Sequence, residues 1–111
     1  MYLSSVVRAE LTQGARGEIG RRLVARLSRA LERTNRVVAP LHDDWTDAAT
    51  IQSKIWDTLP RLRTKMLLHD LLIAKSARRV GACVVTGNAS DFQLISEWIP
   101  VEILSSEDLL A

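Results

Sequence analysis

His69–Phe92 reads HDLLIAKSARRVGACVVTGNASDF, and three kinds of local pattern succeed one another within it. Asp70 precedes Ile73, Ala74, Ala77 and Val80, and Gly81 follows. The spacing predicts a closely packed helix with a carboxylate at its positive end and a glycine at its stop. ACVVT is a continuous apolar run, as expected of a parallel strand covered on both faces. TGNASDF then places a hydroxyl, an amide and a carboxylate where the strand gives way to a helix predicted from Ser90 to Trp98, after which IPVEIL reads as another strand.

Upstream, SSVVRAELTQGARG predicts a short helix capped by Ser4 or Ser5 and interrupted at Gly14 or Gly17. In EIGRRLVARLSRALERTN, Ile19, Leu23, Leu27 and Leu31 recur every fourth residue with Arg and Glu between them, an amphipathic helix with a basic outer face. VVAPL, residues 37–41, is β-branched and bounded by Pro40, which suggests a brief edge strand. Asp43 and Asp44 are capping candidates for a third helix carrying Trp45, Ala48, Ala49, Gln52, Ile55, Trp56 and Leu59, ended by Pro60. LPRLRTK follows as a basic linker. Helices alternating with short apolar strands predict an α/β layered domain with a parallel sheet. Ligands of such sheets gather at the carboxyl ends of the strands, where Thr86, Asn88 and Asp91 lie.

With 111 residues and 47% hydrophobic content, the sequence predicts a single domain, 1–111, around one core. It holds no apolar run near membrane-spanning length and no signal-peptide pattern at Met1, so a cytoplasmic protein is expected, with no membrane partner. The lone Cys83, inside ACVVT, is expected to be a buried strand residue, and the three Trp receive no functional role. Net charge is only +2, but Arg8 to Arg36 holds eight arginines against three glutamates, and the rest of the chain seven basic against ten acidic residues. That region, with Arg21, Arg22, Arg26 and Arg29 on its second helix, is either a solvated face or a basic face for nucleic-acid phosphates.

Three acids stand out: Glu10, Asp70 and Asp91. Each has an ordinary structural alternative, as a solvent-facing helix residue, an N-cap and a helix-dipole charge respectively.

The stretch from His69 to Phe92 resembles the PIN-domain family, especially the VapC-type toxin ribonucleases, at Asp70, Ile73, Ala74, Ala77, Gly81, Ala82, Val85, Thr86, Asn88, Asp91 and Phe92. SSVVRAELTQGA is similar to the segment holding that family's second acid, which would be Glu10, and VVAPLHDDWTDAA shows a weaker likeness. The resemblance implies a three-layer α/β/α fold with a short parallel sheet, and a metal-dependent endoribonuclease using Mg²⁺ or Mn²⁺. It implies the toxin role in a type II toxin–antitoxin pair, with RNA as substrate, a cognate antitoxin as partner, and often a homodimer. Glu10, Asp70 and Asp91 are the implied metal ligands and catalytic acids, with Thr86 and Asn88 in support. Glu10 or Asp91 could also assist deprotonation. His42 and His69 stand outside the motif.

Members of that family begin with a strand ending in an aspartate, and this sequence begins near the second acid. The expectation is therefore a fold incomplete at its N-terminus, lacking the first strand and first acid. Three explanations stand: a fragment or misplaced start, favoured for the natural gene; a shortened, catalytically impaired module that binds RNA or a protein; or a chain that dimerises or swaps segments to cover its sheet.

Overall fold

A computed structural model describes residues 2–105. The chain divides into two compact units, one ending at Ala39 and one beginning at Pro40.

In the first unit, strand β1 (Leu3–Ser4) leads directly into helix α1 (Ser5–Gly14), followed by α2 (Gly17–Arg33) and strand β2 (Val37–Val38). Ser4 is the N-cap of α1: its backbone is extended, and its hydroxyl accepts the Val6 N–H at 3.1 Å. This satisfies one of the four donors that a helix start leaves open. β1 pairs parallel with β2, Leu3 opposite Val37 and Ser4 opposite Val38. A parallel pair needs a long crossover, and the α1–α2 hairpin supplies it. β1 is not foreseen by the sequence pattern, because two residues carry no readable alternation. α2 stops where Asn35 turns left-handed (φ 55°), letting the Arg36 N–H reach back to the Leu31 carbonyl at 2.7 Å. An Arg8–Glu32 ion pair joins α1 to the end of α2.

The apolar stripe of α2 departs from expectation. Amphipathic spacing predicts a core-facing row, yet Ile19 is 76% and Leu23 58% exposed, and Leu27 is exposed as well.

The second unit begins with α3 (His42–Thr58), then a 3₁₀ turn (Pro60–Leu62), α4 (Leu68–Val80), β3 (Val84–Thr86), α5 (Ala89–Ser96) and β4 (Ile103–Ser105). Its core is built by helices. α3 buries Ala48, Gln52 and Ile55, α4 buries Leu71, Leu72 and Ala74, and α5 buries Phe92 and Ile95, with Leu67 and Ile99 beside them. Each fully buried Leu or Ile contributes about 1.5–3 kcal/mol of transfer free energy. Leu67, the N-cap of α4, and Leu71 and Ala74 within it are buried, whereas of the expected Ile73, Ala74, Ala77 and Val80 only Ala74 is fully buried and the other three are partly covered. Gly81 ends α4 as expected: at φ 68° it occupies the left-handed region, and the Ala82 N–H bonds the Ala77 carbonyl at 2.9 Å.

β3 and β4 are parallel, Val84 opposite Ile103 and Thr86 opposite Ser105. Of β3 only Val84 is buried. Val85 and Cys83 are exposed, which corrects the expectation of a strand covered on both faces with a core cysteine. The pleat points alternate residues to opposite sides, and the second unit's helices cover only the side Val84 faces.

α3 also starts differently from expectation. Leu41, not an aspartate, is its N-cap, and Asp44 occupies the third helical position, from which its carboxylate reaches back to the Leu41 N–H at 2.7 Å. That buried carboxylate also receives the Arg79 guanidinium from α4. Burial by itself would raise its pKa. The Leu41 N–H and Arg79, with Lys75 adding a weaker attraction, outweigh burial and hold it below the ordinary carboxylate value.

Candidate functional site

The carboxyl end of β3 is where local sequence and tertiary structure combine. Thr86 ends the strand, and its hydroxyl accepts the Asn88 N–H at 2.9 Å, a side-chain turn that redirects the backbone toward α5. Asn88 is the residue preceding α5, and its side-chain amide donates to Asp91 Oδ2 at 2.6 Å. Asp91 sits in the first turn of α5, near the positive end of the helix dipole, with its side chain only 10% exposed. Thr86, Asn88 and Asp91 therefore form one hydrogen-bonded relay that sets the direction of a single carboxylate.

The other oxygen of that carboxylate meets a residue to which sequence reasoning gave no role. Lys65 Nζ lies 2.5 Å from Asp91 Oδ1. Lys65 belongs to the segment read as a basic linker, yet its backbone is fixed. Its N–H bonds the Leu62 carbonyl at 2.8 Å, its own carbonyl accepts the Trp56 indole N–H at 3.0 Å, and two residues on the Leu67 N–H meets Gln52 Oε1 at 2.5 Å. Two side chains of α3 thus pin the strap that carries the ammonium. Only a run of Arg and Lys was visible in the sequence, and nothing in its spacing names Asp91 as a partner.

The remaining candidates are placed as follows. Asp70 lies in the first turn of α4, partly buried, in the same unit as Asp91. Glu10 is an exposed residue of α1, in the other unit. His69 is exposed at the start of α4, and His42 opens α3. Among the described residues of each unit, no three His, Cys, Asp or Glu side chains gather closely enough to enclose an ion. Asp91 offers oxygen, the donor type that Mg²⁺ or Mn²⁺ takes, but its Oδ1 is engaged by the Lys65 ammonium and its Oδ2 by the Asn88 amide.

Arg21, Arg22, Arg26 and Arg29 are all exposed on α2, with Arg22 also bonded to Glu18 at 3.2 Å. Arg22 and Arg26 each lie three residues after Ile19 and Leu23, so helical geometry sets these cations along one border of the exposed aliphatic row. Elsewhere, an open hollow of about 300 Å³ is lined by Asp44, Lys75, Arg78, Arg79 and Ile99. Its cations are engaged within the protein: Lys75 with Asp47, Arg79 with Asp44, and Arg78 with the Pro100 carbonyl. No helix among the described residues is long and apolar enough to cross a membrane.

No family model matches this chain. No curated protein matches it. Among solved structures, a chain of FitAB bound to an IR36 DNA fragment is similar at 19% identity, with a TM-score of 0.58 over 94% of this chain and 71% of that one. At that identity the likeness speaks for the fold alone, and with helices alternating with short parallel strands, the chain has a PIN-like α/β fold.

Proposed function

We propose that this chain is a PIN-type, metal-dependent endoribonuclease, the cytoplasmic toxin component of a type II toxin–antitoxin pair. The observation that carries the reading is Asp91: a nearly buried carboxylate at the carboxyl end of a parallel strand, directed by Asn88 and Thr86, in a PIN-like fold. Asp70 and Glu10 are the further acids of the same reading, by the resemblance of their surroundings to the family's motif. A bound Mg²⁺ or Mn²⁺ supplies a water of lowered pKa and neutralises charge that develops on the phosphate. The chain's own contribution is to place carboxylate oxygens without a nucleophilic Ser or Cys, while Asn88 keeps Asp91 from rotating.

The antitoxin's place in this reading is α2. Ile19, Leu23 and Leu27 form an exposed aliphatic row edged by Arg22 and Arg26, which suits an amphipathic segment whose apolar face is bordered by Asp and Glu. A second copy of α2 set against this one would bring arginine borders together, so a homodimer, part of the same reading, is expected to use another face.

The test is cleavage of single-stranded RNA by the purified protein with Mg²⁺, with Mn²⁺ and with EDTA, alongside Asp70→Asn, Asp91→Asn and Glu10→Gln. Cleavage that needs the metal and disappears in the folded variants supports the reading. Equal cleavage in EDTA refutes it.

The exposed α2 row favours a second reading, a non-catalytic module that binds RNA or a protein through Arg21, Arg22, Arg26 and Arg29. It predicts RNA binding that weakens with salt and is indifferent to divalent metal and to Asp70→Asn.

A further inference from the structure

Lys75, Arg78 and Arg79 stand three and four residues apart, so one face of α4 brings three cations to the open hollow of about 300 Å³ that Asp44 and Ile99 complete. The three differ in what they meet. Arg79 faces Asp44 and Lys75 faces Asp47, so two of the charges have carboxylate partners. Arg78 instead donates to the neutral Pro100 carbonyl at 2.8 Å. Among the described residues no carboxylate forms an ion pair with it, although Glu102 and Arg78 both line an adjoining hollow of about 390 Å³. The one bond to Pro100 fixes the guanidinium and leaves most of its donors for a ligand. A helix C-terminus by itself opposes an anion, but the last carbonyls of α4 are already satisfied: Ala77 accepts the Ala82 N–H at 2.9 Å, and Arg78 the Gly81 N–H at 3.2 Å.

From this the geometry points to the Arg78 hollow as a subsite for a phosphate of single-stranded RNA. The inference deepens the nuclease reading, on which it rests for the choice of RNA, and adds residues outside its acidic set. A guanidinium held at one edge presents a planar fork that matches two phosphate oxygens. An acidic peptide would need apolar surface beside the cations, and Ile99, the aliphatic member of the lining, is only 4% exposed. Exposed aliphatic surface lies on α2 instead. A phosphate contact needs none, and it carries no information about the base. Along α4, Arg78 lies about 12 Å beyond Asp70, so the phosphate it holds stands apart from the acids of the motif.

The experiment is fluorescence anisotropy of two labelled single-stranded RNAs of unrelated sequence with the intact chain, in EDTA to prevent metal-dependent cleavage, over a range of salt. Thermal unfolding verifies that each variant is folded. Arg78→Gln is expected to weaken binding of both RNAs about three- to tenfold, and to make the salt slope shallower by about 0.7, the share of one phosphate on a single strand. Arg78→Lys keeps the charge and is expected to keep the slope while losing part of the affinity. Lys75→Gln leaves the Pro100 contact intact, is expected to weaken binding about twofold, and decides the matter if Arg78→Gln does not fold. Unchanged affinity and slope in the folded variants overturn the inference and leave the nuclease reading standing. Wild type that binds no RNA overturns it too, and an oligoglutamate peptide whose binding is lost in Arg78→Gln would then assign the hollow to an acidic partner. Metal-dependent cleavage, measured separately, decides the nuclease reading on its own.

Discussion

The Asp44–Arg79 contact offers the most direct test of how the second unit is held together. Asp44 is a charged residue with a side chain 8% exposed, and it serves two elements at once: the Leu41 N–H at the start of α3 and the Arg79 guanidinium of α4. Asp44→Asn keeps an oxygen for Leu41 and removes the charge that faces Arg79. A hydrogen bond to a charged group is worth about 1.5–3 kcal/mol, and because the Arg79 side chain is 32% exposed and partly screened, the lower end applies, about 1.5 kcal/mol. Asp44→Ala also abandons the Leu41 N–H, adding about 1 kcal/mol of lost capping, for about 2.5 kcal/mol in all. The pH dependence follows from the lowered pKa. The unfolded chain binds a proton on this carboxylate at higher pH than the folded chain does, so stability rises with pH through that interval. The contribution is complete above the ordinary carboxylate value of 3.8 and is lost as pH falls through the lower folded value. Urea unfolding at pH 7 and at steps below about pH 4, on wild type and Asp44→Asn, measures both parts. Wild type and Asp44→Asn with the same urea midpoint at pH 7, and the same slope against acid, would refute the assignment.

Asn88→Ala removes the amide that directs Asp91, and we expect RNA cleavage to fall about tenfold, equivalent to about 1.4 kcal/mol, with the thermal midpoint little changed; steady-state cleavage rates check it. Gly81→Ala meets no atom within 4 Å, so its cost is purely that of a left-handed backbone, about 1–2 kcal/mol in a denaturant titration.

Features written within a few residues were legible in the sequence. Ser4 as a cap, Gly81 as a stop and Pro60 as a boundary each follow from one residue's backbone chemistry, and all three are found where expected. The turn from Thr86 to Asp91 belongs to the same class, because its hydrogen bonds span only two and three residues. What escaped was set by contacts distant in sequence. β1 exists through its pairing with residues 37 and 38, and the role of Asp44 depends on Arg79, 35 residues away. Cys83 and Val85 have the composition of a covered strand, and only the second unit's own layering shows that their side is open. Periodicity identifies which residues of α2 share a face, but not whether anything covers that face.

The same distinction explains how Asp91 acquires its surroundings. Its neighbours along the chain, Thr86 and Asn88, supply direction through hydrogen bonds that span only two and three residues. Its partner in space, Lys65, supplies charge, and that depends on α3: Trp56 and Gln52 hold the basic strap so that one ammonium, among the cations Arg61, Arg63 and Lys65, meets Oδ1. Arg63 is instead directed to Asp57, at 3.7 Å. A helix whose sequence reads only as an amphipathic core element therefore selects which basic residue faces the carboxylate. Displacing that strap would alter the electrostatics of Asp91 without touching any residue of the acidic motif.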